Sequence, residues 1–531
     1  MTVYDVAIVG SGFAGSILAR VLRSQGLRVL LLERGRHPRF AIGESTTPLA
    51  NFALERLARR YGLPDLHQLS THGRWLEHLP RLRRGLKRGF TFYRHRRGEP
   101  FRNSADNDAR LLVAASPDDH LADTHWLRQD VDHHLVRRAV GEGVEYLDRT
   151  EVVDVRVADG GVELEARNEG GRTVFRAGIV VDASGPRGVL SRALPIPPAP
   201  PSRVQSGLLF AHFQGLRAFD EIAREAGAVF DPGPYPDERA AVHHLLDQGW
   251  VYVLPFDHGV VSAGIVMRPG DERPVIAEMR SDLPAAWERI LAGYPSLAAQ
   301  FASARPIFPI RYVERLQYRL DRSAGKRWFV LPHAYAFYDP LFSTGIAWSL
   351  LAVERLAEIL GNDPSGGDWR RYDRSLSREA DQIERLIEAA YLTMTDFDLF
   401  VSVAFLYFAT VSFEEVRQRL TSPVEGEPYA WRGFLGAGDA DLEALFAETG
   451  ERLRAGRRDG LRAWIERRIA PFNVAGLADP DRRNLYPVDL DVLVRRAHLL
   501  GLDRAAVQAA LPRLRGDAGG EGFSSRRDGR G

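Results

Sequence analysis

Six residues near the start of the chain, Gly10-Ser11-Gly12-Phe13-Ala14-Gly15, constrain its fold more than any other segment. They follow an apolar run, Tyr4 to Val9, that reads as a buried strand, and they open a helical pattern from Ala14 to Gln25. Arg28 to Glu33 reads as a second strand, so about thirty residues form strand, glycine turn, helix, strand. Gly10 permits the tight turn, Gly12 lets backbone approach a pyrophosphate, and Gly15 lets the helix pack on the strand. The helix N-terminus, at Phe13 and Ala14, offers free N–H groups and a partial positive charge to phosphate oxygens. Glu33 lies 18 residues beyond Gly15, where an acid takes ribose hydroxyls, with Arg34 beside it. The unit is read as a dinucleotide-binding site.

With 531 residues the chain is too long for one core, and two or three packed units are expected. Helices are read at Asn51 to Tyr61 and Arg128 to Gly141. Gly85 to Arg97 alternates like a strand pair. Strands at Glu151 to Val157 and Gly161 to Asn168 lead to an apolar strand at Ala177 to Asp182. Pro195 to Pro201 reads as an extended connector. Beyond it, Leu208 to Gln214, Trp250 to Pro255 and Val260 to Met267 read as a second sheet, and Trp328 to Leu331 as a strand that rejoins the first. From Ile346 the pattern is almost wholly helical. The expected organisation is a nucleotide-binding domain over 1–345, carrying an inserted sheet at about 203–310. A helical region over 346–512 follows, then a Gly-, Ser- and Arg-rich tail over 513–531 read as disordered.

Composition excludes several classes of protein. Lys plus Arg number 71 against 70 Asp plus Glu, which gives no reason to expect nucleic acid or an anionic membrane as a partner. There is no cysteine, so disulfides, thiolate metal sites and thiol nucleophiles are ruled out. The adjacent pairs His133-His134 and His243-His244 lack metal-ligand spacing, and no metal is expected. The strongest apolar stretch, Leu399 to Val411, falls short of the ~18 residues a membrane span needs and reads as a buried helix. With no basic, apolar leader at the N-terminus, a cytoplasmic location is expected. All but two of the basic residues are arginines. The lysines are Lys87 and Lys326, and only an amine readily loses its proton and acts as a nucleophile.

Three features favour FAD over NAD as the dinucleotide. The fingerprint stands at the very start of the chain. Val181-Asp182-Ala183-Ser184-Gly185 resembles a turn that flavoproteins place against the cofactor, through Ala183 and Gly185. Arg128, in Thr124-His125-Trp126-Leu127-Arg128, resembles the arginine that begins a flavin-contacting helix in the aromatic hydroxylase superfamily. No second GxGxxG follows, so no dedicated NAD(P)H fold is expected.

Four further segments extend the resemblance to flavin-dependent halogenases, from residue 1 to about 410. Ile42-Gly43-Glu44-Ser45-Thr46-Thr47-Pro48 resembles the loop that straps the flavin in these enzymes, and Leu86-Lys87-Arg88-Gly89-Phe90-Thr91-Phe92 matches the segment with their catalytic lysine. Gly249-Trp250-Val251-Tyr252-Val253-Leu254-Pro255 is similar to their WxWxIP signature, here WxYxLP. Tyr338-Asp339-Pro340-Leu341-Phe342-Ser343-Thr344-Gly345 matches the turn that holds halide, with Asp339 as a flavin or turn residue and Ser343, Thr344 and Gly345 at the halide. Phe342 stands where tryptophan halogenases carry Glu, which places the chain nearer the phenol and pyrrole branches. The Gly-Asp that usually precedes this turn is Pro332-His333 here, so one flavin contact of the family is altered.

The resemblance implies an α/β fold, an FAD-binding Rossmann-type domain of aromatic-hydroxylase kind with a second, substrate-side sheet and a helical C-terminal region. It implies FAD, used as FADH2 supplied by a separate flavin reductase. A C4a-hydroperoxide would oxidise halide to hypohalous acid, which Lys87 would direct onto a phenol, pyrrole or indole ring, free or carrier-bound. Burial suits Lys87 to that role by disfavouring its charged form. The alternatives are a monooxygenase or reductase on the same fold, or a basic surface patch over Arg81 to Arg97. The alternation of residues is read as placing Lys87 on the face opposite Phe90 and Phe92.

Overall fold

The computed structural model describes residues 3–186, 188–268, 281–363, 365–421 and 431–514; the expected tail from 515 onward lies outside the described residues. The glycine fingerprint sits at the edge of an eight-stranded sheet. The strand Val3–Val9 is flanked in parallel by Val29–Leu32 and by Gly171–Asp182. Trp328–Val330 pairs parallel to Gly171–Asp182 and does rejoin this sheet, while Glu145–Leu147 extends the other side. The stretches 6–9, 29–32 and 179–182 of these strands are buried on both faces and are the continuous apolar runs the sequence shows. Their shared direction brings the residues after Val9, Leu32, Asp182 and Val330 to one edge, the usual position of a ligand crevice in such sheets.

The second sheet has nine strands and draws on more of the chain than 203–310. Gly207–Gln214, Val260–Met267, Gly249–Pro255 and Ala241–Leu245 form its antiparallel centre. Gly89–Arg94 then adds in parallel, Arg110–Ala114 adds beyond it, and Leu485–Tyr486 from the helical region closes the edge. The strands within Gly85 to Arg97 are therefore not a hairpin. Arg84–Lys87 pairs with Asp123–Trp126, and Gly89–Arg94 belongs to the second sheet. Arg88 is the break between them, its N–H donating to Arg239 O at 2.7 Å and its carbonyl accepting from Ala115 N at 2.8 Å. Gly85 sits so close to the second sheet that a Cβ there would lie 2.0 Å from Pro255 O.

Helix Thr344–Asn362 packs on the fingerprint helix Phe13–Ser24 and on Pro48–Tyr61. Trp369–Thr393 and Phe397–Thr421 follow. The last of these is longer than the apolar stretch implied: Phe397–Leu420 has a mean hydropathy of 1.6 and meets the length for a membrane span, but 78% of that window is buried inside the protein. Its apolar surface belongs to the core. Interior charges are paired through arginine, whose planar fork suits two-point bonding to carboxylates: Arg20 with Asp65, Arg110 with Asp237, and Arg355 with Glu379.

Arg355 and Glu379 are 1% and 0% exposed. Arg355→Ala is expected to lower unfolding stability by about 3–5 kcal/mol in denaturant titration, because it strands a buried carboxylate. Lys326→Ala, which removes a solvent-exposed partner of Asp159, is expected to leave the unfolding midpoint unchanged.

Candidate active site

At the sheet edge the two strand-end motifs lock together. Gly10 has φ +106°, and a Cβ there would meet Ala183 O at 2.4 Å; one on Gly15 would meet Gly10 O at 2.1 Å. Gly12 is the opposite case, with no atom closer than 3.7 Å to the same position. The helix it begins has no side-chain cap, so its first N–H groups stay open to a ligand. Gly185, at φ +82°, also has nothing within 4 Å, and Arg34 is exposed at the rim.

Glu33 is buried and accepts from Ser11 N at 3.1 Å, Ser11 Oγ at 3.0 Å and Gly35 N at 2.8 Å. Burial opposes its charge, but Arg39 and these donors outweigh it and hold the carboxyl below the usual range, a charged acceptor at the end of the second strand. Arg128 is no solvated helix charge. It is buried, grips Asp132 through Nε and Nη2 at 2.9 Å each, and donates through Nη1 to Ile42 O and Gly43 O. Four of its five donors are thus engaged, and Nη2 faces the open side of Gly12. The open helix end, the ribose-side acid and the arginine beside Gly12 together fit the diphosphate and ribose of FAD.

The strap is fixed to the strand Asp123–Trp126. Trp126 N donates to Glu44 O, Ser45 forms a bridge with His125, and Thr46 and Thr124 exchange bonds through Thr46 N and Oγ. Glu44 bonds His212 Nε2 of the second sheet at 2.8 Å. Lys87 lies beneath. It is 0% exposed, donates through Nζ to Thr46 O at 2.5 Å, and its ammonium is 4.0 Å from the centre of the Phe90 ring. It therefore shares a side with Phe90, contrary to the alternation, because the break at Arg88 resets the strand phase.

Asp123 stands directly across from Lys87 in the strand pair, buried, with Oδ1 accepting from Asn51 at 2.7 Å. Burial pushes the Lys87 amine down, opposed by the Asp123 charge; burial pushes the Asp123 carboxyl up, opposed by Lys87. Sequence reasoning missed Asp123 because only the pairing of Arg84–Lys87 with Asp123–Trp126 brings it to the amine.

In the halide-type turn, Asp339 Oδ1 accepts from Leu341 N and Oδ2 from Tyr391 and Ser206 hydroxyls. Both oxygens serve the turn, so of its two expected roles the geometry supports shaping the turn. Ser343 adopts a left-handed conformation (φ 52°) and begins helix Thr344–Asn362 without a side-chain cap, leaving the N–H groups of Thr344 and Gly345 open. Phe342 points the other way, stacked on Tyr407 at 5.0 Å, and Tyr407 reaches Phe90 at 6.0 Å. The rings of Phe90, Tyr407 and Phe342 thus bridge the amine and the turn through an apolar zone.

Trp250 lies 6.0 Å from Tyr252 and 5.3 Å from His243, whose ring stacks on Phe92. His243 and His125 are driven down to about 3 by burial, with Lys87 adding to it, so both are neutral neighbours of the amine. Among the described residues no cluster of metal-ligating side chains exists. A surface pocket of about 430 Å³ lined by Arg371, Arg374, Arg378 and Arg432 is formed by other residues and shares none with this site.

The family profile described as "FAD dependent oxidoreductase" matches residues 5–309, more than half of the chain. Fold and crevice therefore define an FAD-dependent oxidoreductase. The tetracycline 7-halogenase of Kitasatospora aureofaciens is 30% identical over 430 residues, covering 75% of this chain and 72% of the relative. The monodechloroaminopyrrolnitrin halogenase PrnC of Pseudomonas fluorescens is 28% identical over 404 residues, 75% and 69% of the two chains. The solved structure of the halogenase PltM with phloroglucinol and FAD superposes with a TM-score of 0.79 at 22% identity, covering 91% of this chain and 99% of that one. The chain belongs to the flavin-dependent halogenases, enzymes that use FAD.

Arg128→Ala is expected to weaken FAD binding at least tenfold in a fluorescence titration, since it frees the strap and leaves Asp132 buried and unpaired (of order 2–5 kcal/mol).

Proposed function

We propose that this chain is an FADH2- and O2-dependent halogenase that transfers an electrophilic halogen to an electron-rich aromatic ring of phenol, pyrrole or indole type, free or carrier-bound, through Lys87. The observation that carries this reading is the amine itself: fully buried, hydrogen-bonded to the strap and packed on an aromatic face. Reduced FAD and oxygen, when present, supply the oxidising equivalent that converts halide to electrophilic halogen. A separate flavin reductase supplies the reduced cofactor, in keeping with the single nucleotide fingerprint.

The roles of the chain's own residues follow from their chemistry. The open N–H groups of Thr344 and Gly345 receive halide at a helix N-terminus, where the helix dipole favours an anion. The aromatic rings around Phe90 and Phe342 keep water from the space between that turn and Lys87. As an ammonium, Lys87 donates to the oxygen of hypohalous acid and orients it; as an amine it accepts the halogen at Nζ, with water leaving. Lowering its proton affinity by burial makes the second route accessible nearer neutral pH. Asp123 is the carboxylate paired with Lys87 across the two strands, and its charge favours the ammonium. Phe342 puts an aromatic ring, not a carboxylate, immediately before Ser343-Thr344-Gly345, which fits substrates activated by their own hydroxyl or ring nitrogen.

The test combines the protein with FAD, a reductase, bromide or chloride, and a panel of phenols, pyrroles and indoles. Mass spectra are expected to show the halogen isotope pattern, and Lys87→Met to remove it while FAD still binds. Halide-independent hydroxylation by the unaltered protein would overturn the reading. Asp123→Asn is expected to move the limb of the pH–rate profile that belongs to the amine to lower pH, because it removes the charge that favours the ammonium. An unmoved limb would separate Asp123 from the chemistry.

A further inference from the structure

The surface cleft of about 430 Å³ lies outside the crevice, between helices Trp369–Thr393 and Phe397–Thr421 and the loop from Trp431 to Asp439. Its volume is in the range that takes a small molecule. The floor is fixed: Arg355, held by Glu379, donates through Nη2 to Arg432 O at 3.0 Å. Arg355 stands on helix Thr344–Asn362, about 16 Å along its axis from the halide-type turn at ~1.5 Å per residue. The cleft is therefore separate from the chemistry proposed above.

Six arginines line it against two carboxylates, and both carboxylates are committed. Glu414 is paired with Arg417, and Asp439 caps helix Ala440–Arg454 by accepting from Asp441 N at 3.1 Å and Leu442 N at 3.2 Å. Arg371, Arg374 and Arg378 stand exposed along one side of helix Trp369–Thr393, and Arg432 joins them from the loop. Among the described residues none of these four has a carboxylate partner. Exposed arginines elsewhere do, as Arg167 with Glu151, Arg172 with Glu165 and Arg176 with Glu163. Like charges at this spacing repel along a helix, and an anion in the cleft would relieve that repulsion.

The side chains are also set in place. Arg378 reaches the loop, its Nη1 3.7 Å from the position a Cβ on Gly438 would take. Arg371 lies over the Trp431 ring, 4.1 Å from its centre. Trp431 Nε1 is buried with no hydrogen-bond partner among the described residues, which leaves a further donor in the lining. Guanidinium forks bond phosphate oxygens at two points. The row from Arg371 to Arg378 extends about 10 Å along the helix, longer than one tetrahedral anion and suited to linked phosphates. We propose that this cleft binds a diphosphate-bearing small molecule, free pyrophosphate or a nucleoside diphosphate, through Arg371, Arg374, Arg378 and Arg432. This inference stands or falls separately from the role of Lys87.

The test is calorimetric titration of the FAD-loaded protein, whose dinucleotide crevice is then occupied, at ~0.15 M salt so that loose surface attraction is screened. Inorganic pyrophosphate and ADP are the probes, and citrate, a polyanion without phosphate, is the control. Pyrophosphate is expected to bind with a Kd below about 100 μM. ADP binding more tightly than pyrophosphate would identify a nucleotide as the occupant, and pyrophosphate binding at least as tightly would identify the free anion. The double variant Arg374→Gln, Arg378→Gln is expected to weaken pyrophosphate binding at least about tenfold without lowering FAD content or the unfolding midpoint. Arg374→Lys, which keeps the charge and loses the fork, is expected to show part of that loss. No pyrophosphate binding by the unaltered protein, citrate binding as tightly as pyrophosphate, or unchanged affinity in the double variant would overturn the proposal.

Discussion

The hydrogen bond from Lys87 Nζ to Thr46 O ties a fully buried amine to the loop 42–48, which Arg128 also holds beside the fingerprint glycine Gly12. An isolated ammonium in an apolar interior is costly, and the charge would be lost without compensation. Here a carbonyl, an aromatic face and a carboxylate across the strand pair oppose that cost, leaving the amine close to the balance between its two protonation states. Much of the surrounding architecture can be read as support for that balance. Gly85 lets the strand of Lys87 approach the carbonyl of Pro255, and Arg88 redirects the chain so that Phe90 passes under the amine.

The composition carries the same logic through the molecule. Buried ion pairs at Arg20–Asp65, Arg110–Asp237 and Arg355–Glu379 use the cation that keeps its proton and bonds carboxylates at two points. Lys326 is exposed beside Asp159, on the surface. Where the protein needs a permanent positive charge inside, it uses arginine; Lys87 is the buried cation able to give its proton up.

Features carried by a contiguous stretch of chain were legible in the sequence. The fingerprint, its two strands and the helix Arg128–Gly141 follow from local periodicity and turn chemistry, and the return of Trp328–Val330 to the first sheet was read as well. Most other pairings of distant strands were not. The second sheet recruits Gly89–Arg94, Arg110–Ala114 and Leu485–Tyr486, and nothing in their separate patterns announces a shared sheet. The facing of Lys87 was misread because alternation counts residues and takes the strand as continuous, while Arg88 interrupts it. Asp123 and Tyr391 gain their significance from the partners the fold brings them, and Asp339 proved to be held by Tyr391 and Ser206 in shaping its turn.

The presence of only two lysines makes the central claim directly measurable. Protein labelled at the lysine Cε carbon and carrying Lys326→Ala should give a single lysine resonance, whose shift follows the protonation of Lys87. The account predicts a midpoint well below the ordinary lysine value of ~10.4, moving lower still in Asp123→Asn. A midpoint at or above that value, or one indifferent to Asp123, would contradict it.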